Sequence, residues 1–291
     1  MKKGLKKVLS LSLAAISVAG GAVMFAGCET KNPEVEMQLA FNGKTYTLQY
    51  KLYRKYAPTT VRHFLKLAEE GYYTNESNPF CIHHYTANKW YTGGYKYDAT
   101  SNADGGLVYQ KYYDIVKGYD EFPFSVWNGD TPTYTLYGEF ANNNVNMGQG
   151  SFVKQQFGSL AMEYTSKGEK NNVHVLVEKV DGTGKAERKY QYNSATSLFS
   201  INLSSSVTTN SSYCTFATLK DAYVETLEEL QTAINEYIDA NYDEDAADGF
   251  ADTVEVTVDQ DDMFIGEDGQ EVEYDVPDKP IYLNYVKVLK F

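Results

Sequence analysis

Two histidines, His83 and His84, are adjacent in this chain, and structural roles suit them better than metal ligation. On a strand, His83 and His84 would point to opposite faces, so they do not predict a metal-binding pair. Serines are plentiful, but no spacing to a histidine and an acid marks one of them as a nucleophile. The Gly-Gln-Gly run at 148–150 lacks the lysine and the following helix that a phosphate-binding loop needs. We therefore expect no metal and no cofactor.

Three aspartates, Asp259, Asp261 and Asp262, begin like a calcium-binding loop. That loop needs an acid or Asn at its fifth position and Gly at its sixth, where this chain has Met263 and Phe264. A solvated acidic loop fits these residues better. The net charge of −13 agrees with it and argues against nucleic-acid partners, which need basic patches.

The N-terminal segment, residues 1–27, reads as an export signal. Four lysines precede an apolar run that ends in Phe-Ala-Gly directly before Cys28. This pattern is similar to a bacterial lipoprotein cleavage box and predicts a diacylglycerol on Cys28. The lipid would anchor the chain at the extracytoplasmic face of the cell membrane through a short tether, 28–33. Removal of the segment changes the net charge to −17, because it takes away four lysines and no acid. The alternative is an uncleaved membrane-anchor helix.

The two remaining cysteines, Cys81 and Cys214, leave two possibilities open. They could form a disulfide in an oxidising compartment, or they could be two buried free thiols.

The elements that would position these residues are mostly strands. The chain has 26 Tyr, 14 Phe and 2 Trp, and aromatic residues favour strands. Asn42-Gly43 between two alternating segments predicts a β-hairpin. A helix is predicted from Pro58 to the stop at Gly71, because Val61, Phe64, Leu65 and Ala68 share one apolar face. A second helix is predicted over 226–242, with a Thr226–Glu229 capping box and an apolar stripe of Leu227, Leu230, Ile234, Tyr237 and Ile238. Further predictions are a hairpin over 173–192 with its strands at 173–177 and 189–192, a hairpin turn at Asp-Gly 268–269 and a last strand over 281–291. Two helices and many strands predict a mainly β protein, a barrel whose open ends the helices cover.

The order of short motifs resembles the cyclophilin family. A helix motif Ala-Pro-x-Thr-Val-x-x-Phe is followed by Gly-Tyr-Tyr, as in that family, and later come Tyr-Gly-Glu and Gly-x-Leu-x-Met. The matching segments are 57–64, 71–73, 82–84, 92–94, 137–139, 158–162, 197–201, 216–219 and 280–283. The resemblance implies one cyclophilin-like closed β-barrel over 34–291, capped by two α-helices. It also implies insertions near 166–193, as an added β-hairpin, and near 240–275.

The family's activity is peptidyl-prolyl cis–trans isomerisation, which requires the twisted amide to be favoured over both planar forms. In cyclophilins an arginine donates toward the substrate proline, and the resemblance places His84 at that position as the catalytic residue. A neutral imidazole donates one hydrogen bond but lacks the charge and the forked donors of guanidinium.

The resemblance also implies a substrate pocket, and several of its positions are altered. Lys89 and Ser200 stand at pocket phenylalanine positions, and Thr92 stands at the glutamine position. The substrate-binding residues that the resemblance implies are Trp90, Thr92, Met162, Leu198, Phe199 and Tyr213.

Three functions follow as hypotheses. The first is a membrane-anchored isomerase or folding helper that acts on proline-containing peptides or secreted chains, with a degenerate site. The second is a non-catalytic peptide- or protein-binding module on the same scaffold, and the inserted hairpin at 166–193 would reshape access to it. The third is a carbohydrate-binding surface built from aromatic residues such as Trp90 and Trp127.

Overall fold

The computed structural model describes part of the chain. The described residues are 32–75, 77–100, 104–110, 126–128, 131–133, 136–140, 153–164, 174–178, 185–189, 193–208, 213–242, 249–258 and 270–291. The export signal and Cys28, the three aspartates of the acidic loop and the turn at 268–269 lie outside the described residues.

The described residues form two α-helices and mainly strands. The helices are α1 (Pro58–Glu69) and α2 (Val224–Asn241). The strands of the first half are β1 (Glu34–Phe41), β2 (Lys44–Leu52), β3 (Phe80–Cys81), β4 (His84–Tyr85), β5 (Lys89–Thr92), β6 (Tyr95–Tyr97), β7 (Leu107–Tyr109), β8 (Val126–Asn128), β9 (Thr131–Thr133) and β10 (Leu136–Tyr137). Those of the second half are β11 (Leu160–Tyr164), β12 (His174–Glu178), β13 (Lys185–Lys189), β14 (Asn193–Asn202), β15 (Thr215–Leu219), β16 (Ala251–Val258), β17 (Gln270–Pro277) and β18 (Tyr282–Lys290).

The first two strands form the predicted hairpin. Phe41 pairs with Lys44 across a two-residue turn, with Asn42 at φ 47° and Gly43 at φ 81°. Two successive residues with positive φ make the turn that matches the twist of a hairpin, and Asn-Gly is the pair best suited to it. Alternate residues of β1 are buried, which places one face of the hairpin against the core.

One extended segment, residues 80–85, joins the two sides of the main sheet. Its first two residues form β3 and pair with β18, while its last two form β4 and pair with β5. From β5 the antiparallel pairing continues through β14, β11, β15, β2 and β1 to β18. The described strands therefore curl into a barrel that this segment closes, as predicted.

The first helix packs its apolar face into the barrel. Val61, Phe64, Leu65 and Ala68 are all buried, which confirms the predicted stripe. The helix ends before Gly71, as expected. At its start, the buried Glu139 carboxylate accepts the backbone N–H groups of Thr59 and Thr60, both at 2.9 Å, so the Tyr-Gly-Glu motif supplies a partner to the free amides of a helix N-terminus.

The capping box predicted for the second helix is wrong. Helix α2 begins at Val224, directly after a 3₁₀ turn over Asp221–Tyr223, and it has no side-chain cap. Thr226 therefore lies inside the first turn, where its hydroxyl is not at the capping position. The predicted apolar stripe is confirmed, since Leu227, Leu230 and Ile234 are buried.

Three strand pairs of the described residues lie outside the main sheet. One of them is β8 with β9, which pairs Val126 with Thr133 and Asn128 with Thr131. Strands β12 and β13 pair from His174–Lys189 to Glu178–Lys185, which confirms a hairpin inside the segment 173–192. Its second strand begins earlier than the predicted 189–192. Strands β16 and β17 pair over eight residues each, from Ala251–Pro277 to Val258–Gln270.

Candidate functional site

Cross-strand register separates the predicted site residues into two faces. His84 pairs with Tyr91, Tyr91 with Ser200, and Ser200 with Ala161, so these four side chains share one face of the sheet. Trp90, Phe199 and Met162 belong to the opposite face, which is the barrel core. We call the first set, pointing away from the core, the His84 face.

His84 is half-buried between aromatic rings, and its side chain is 23% exposed. Its ring centroid lies 5.0 Å from that of Tyr91 and 5.7 Å from that of Tyr274 on β17. Its Nδ1 accepts the backbone N–H of Asp275 at 2.9 Å. Burial lowers the pKa of His84, and the nearby Asp275 carboxylate raises it by less, so the imidazole is neutral near pH 7.

The neighbouring His83 is fully buried, whereas the side chain of His84 is 23% exposed. Its ring packs 4.7 Å from Tyr95 and 5.0 Å from Tyr274, centroid to centroid. Burial holds the pKa of His83 well below its usual range. The described residues contain no group of three or more His, Cys, Asp and Glu side chains that could hold a metal ion.

The β16–β17 hairpin supplies the cover on His84. Tyr274, Val276 and Val256 are buried and join the hydrophobic core. Gly105 allows β16 to approach, because a Cβ there would lie 2.6 Å from the Val254 side chain. Phe250 at the base of the hairpin packs edge-to-face on Tyr85, with centroids 5.1 Å apart. The hairpin is therefore part of the packed body of the protein.

Several predicted substrate-binding residues lie in the core. Trp90 is 1% exposed and stacks on Tyr85, and Phe199 packs on Phe64. Thr92 is fully buried, and its hydroxyl donates to the Cys81 carbonyl at 2.8 Å. Met162 pairs with Phe199 on the same inward face. The substrate-binding role of these residues stays a prediction.

Leu198 and Tyr213 differ from that inward group. Leu198 is buried, and its side chain lies against Gly94. Tyr213 is half-buried, and the Lys89 ammonium sits 4.0 Å above its ring centroid, a cation–π contact. Of the predicted site residues, the structure thus leaves His84 and Tyr213 partly accessible.

Glu163 is a site candidate that the sequence reasoning missed. It follows Met162 on β11, is 9% exposed, and its Oε2 has no hydrogen-bond partner among the described residues. Burial raises its pKa to about 8. Its charge also raises the pKa of Tyr91, Tyr213 and Tyr274, so the carboxyl lies near the His84 face. The sequence feature that could have identified Glu163 is an acidic residue in the middle of a strand, next to a core methionine.

Both described cysteines are free and buried. Of the two possibilities left open for Cys81 and Cys214, the structure therefore supports two free thiols. Burial raises the pKa of the Cys81 thiol to about 12. In the described residues, no helix combines the length and apolarity needed to cross a membrane.

Comparison with known proteins identifies the family. Residues 36–246 match the family model for "Cyclophilin type peptidyl-prolyl cis-trans isomerase/CLD". The match covers more than half of the chain, so the chain belongs to the cyclophilin family, as its motifs predicted. The β16–β17 hairpin lies beyond the end of the match.

Solved structures of cyclophilins are similar to this chain at low identity. A cyclophilin type peptidyl-prolyl cis-trans isomerase from Cryptosporidium parvum shares 17% identity with a TM-score of 0.42, covering 89% of this chain and 99% of that one. The same protein in the presence of the dipeptide Ala-Pro gives 16% and 0.40 over the same shares. The Mimivirus cyclophilin gives 15% and 0.40, covering 91% of this chain and 93% of that one. No curated protein matches the chain.

Replacement of Glu163 by Gln tests its raised pKa through stability. Between the ordinary pKa of 4.5 and about 8, the folded protein keeps the Glu163 proton and the unfolded chain loses it. The free energy of unfolding of the parent therefore falls as pH rises through that window, because unfolding then releases the Glu163 proton. We expect Glu163→Gln to match the parent near about pH 4.5. Near about pH 8.5 it should exceed the parent by on the order of a few kcal/mol.

Denaturant unfolding of both proteins at the two pH values measures this difference. Glu228→Gln is the matched control, because Glu228 is exposed on α2. A Glu163→Gln difference that stays constant with pH would contradict the buried, protonated carboxyl.

Proposed function

We propose that this chain is a membrane-anchored, extracytoplasmic cyclophilin that acts on X-Pro bonds of exported polypeptides, as a weak isomerase or folding helper. Membership of the cyclophilin family supports the class of protein. The observation that carries the proposal is the position of His84, a partly exposed imidazole at the end of the barrel-closing segment, where the family motif has arginine. The export-signal pattern before Cys28 supports the location.

The proposed reaction requires only a hydrogen-bond donor from His84. Isomerisation forms no covalent intermediate, and it needs groups that interact better with the twisted amide than with either planar form. A neutral imidazole whose Nδ1 is already an acceptor offers its Nε2–H as one donor toward the proline nitrogen. It lacks a permanent charge, so we expect catalysis well below that of an arginine at this position.

A second candidate function is a non-catalytic module that binds peptide or protein ligands. One observation favours it: β17 lies against His84, with the Asp275 amide on its Nδ1 and Tyr274 beside its ring. A substrate proline would have to share this space with the hairpin. The core location of Trp90 and Phe199 leaves fewer apolar side chains to hold a proline ring.

Isomerisation rates separate the two candidates. We expect residues 29–291 to accelerate the cis–trans exchange of proline peptides weakly, and His84→Ala to remove most of that acceleration. Loss of one well-placed donor costs on the order of 10² in rate in other enzymes. His84→Arg should restore or increase the rate, because guanidinium supplies the charge and the extra donors. Exchange spectroscopy on a proline tetrapeptide measures all three proteins.

Two outcomes would change the assignment. If the parent does not accelerate the exchange, the isomerase function is ruled out. The binding module then remains, and peptide titration of the same protein tests it. Acceleration by the parent that persists in His84→Ala would remove the catalytic role of His84.

The lipid anchor is tested separately from the activity. Cys28→Ala in the full chain should abolish labelling with a fatty-acid probe and move the protein from the membrane to the soluble fraction, because the thiol carries both glyceride acyl chains. Cys81→Ala is the matched control, since Cys81 is a buried free thiol, and it should keep the label. Equal labelling of the Cys28→Ala variant and the parent would rule out lipidation at this residue.

A further inference from the structure

The hydrogen bond between the Asp275 amide and His84 Nδ1 determines the tautomer of His84 as well as the position of its ring. Nδ1 accepts at 2.9 Å, so it carries no proton. A neutral imidazole has one N–H, which must then be at Nε2. The backbone of β17 therefore selects which nitrogen of His84 can donate to a ligand.

We propose that the Asp275 backbone amide on β17 is a positioning group that holds His84 in its Nε2–H tautomer, and that protonation of Nδ1 releases this hold. The inference rests on the proposed function, because it concerns the same histidine. The β16–β17 hairpin thus orients the Nε2–H donor of His84 and makes this donor sensitive to acid.

The geometry around Nδ1 explains the acid sensitivity. A proton on Nδ1 would face the Asp275 N–H, and two donors cannot share a hydrogen bond. The Asp275 Oδ2, 3.8 Å from Nδ1, is an alternative acceptor close to it. Its carboxylate is already held by the Thr253 hydroxyl, which donates to Oδ1 at 2.8 Å. Protonation therefore requires His84 and β17 to shift relative to each other.

The other titratable groups near His84 do not alter the acid sensitivity of the Asp275–His84 hydrogen bond. On β4 and its loop, His83 is buried and neutral, and on β5 the Tyr91 phenol has a raised pKa. On β17 burial also raises the pKa of Tyr274, and on β11 the raised pKa of Glu163 keeps its carboxyl protonated at neutral pH. The Lys89 ammonium on β5 lies over the Tyr213 ring. The Asp275 carboxylate is then the group that favours protonation of His84.

The geometry of β17 allows a substitution that removes the Asp275 N–H and keeps the pairing with β16. The Asp275 N–H points at His84 and thus away from β16, so proline at this position removes that one donor and leaves the β16–β17 ladder intact. Glu273 lies two residues earlier on the same strand, so its N–H also points away from β16. Glu273→Pro is the matched control.

The experiment is ¹⁵N NMR of histidine-labelled protein, residues 29–291, with His84 assigned by its loss in His84→Ala. At about pH 8 we expect the parent to show an unprotonated-type shift at Nδ1 and a protonated-type shift at Nε2. Asp275→Pro should lose this pattern and show averaged shifts of both tautomers, while Glu273→Pro keeps the parent pattern. Asp275→Asn retains the amide and should also keep it, but with a lower His84 pKa, because the carboxylate is gone.

A parent with the proton on Nδ1, or an Asp275→Pro variant with the parent pattern, would overturn the proposal. If Asp275→Pro does not fold, the parent spectrum and the pKa of His84 in Asp275→Asn still decide it. Isomerase rates of the same samples keep the two claims apart. The expected tautomer without isomerisation overturns the proposed activity alone, and isomerisation with the other tautomer overturns the positioning role alone.

Discussion

The whole arrangement depends on the pairing of segment 80–85 with two different strands. Its first residues pair with β18 and its last with β5, so the segment both closes the barrel and carries His84 near its end. Side chains alternate along a strand, and a slip of one residue would turn every side chain to the other face. The Thr92 hydroxyl on the Cys81 carbonyl ties β5 to the same segment from the core side. The outward position of His84 is therefore a consequence of barrel closure.

Packing, and not the bond to His84, holds the β16–β17 hairpin in place. Burial of one large apolar side chain contributes about 1.5–3 kcal/mol, whereas a single hydrogen bond contributes about 1 kcal/mol net. The hairpin buries Tyr274, Val276 and Val256, and Phe250 packs at its base. Their combined burial outweighs the Asp275–His84 bond. That bond instead decides the tautomer, so when protonation breaks it we expect the His84 side chain to move and the packed hairpin to stay.

Local signals in the sequence predicted the local structure well. Asn42-Gly43 and the apolar spacing of α1 predicted a hairpin and a helix that both exist, because turn geometry and helical periodicity act over a few residues. The capping box on α2 was wrong because the preceding 3₁₀ turn moved the helix start to Val224. Family motifs predicted the barrel, and the order of the motifs carried that prediction.

The site was less predictable, for two physical reasons. Motif matching assigned Trp90 and Phe199 to the substrate pocket, but only strand register shows that they face the core. The contact between Asp275 and His84 joins residues far apart in the chain, and no local pattern encodes it. Glu163 was missed because a lone acid in a strand ordinarily reads as solvent-exposed.

The β16–β17 hairpin lies on His84, and this contact should persist in solution. The most direct test is the nuclear Overhauser effect between the His84 ring and two groups of β17, the Tyr274 ring and the Asp275 amide proton. The structure predicts both contacts, since the ring centroids are 5.7 Å apart and the amide donates to Nδ1 at 2.9 Å. An assigned spectrum of the folded protein in which His84 shows contacts to Tyr91 but none to β17 would show that the hairpin does not lie on His84.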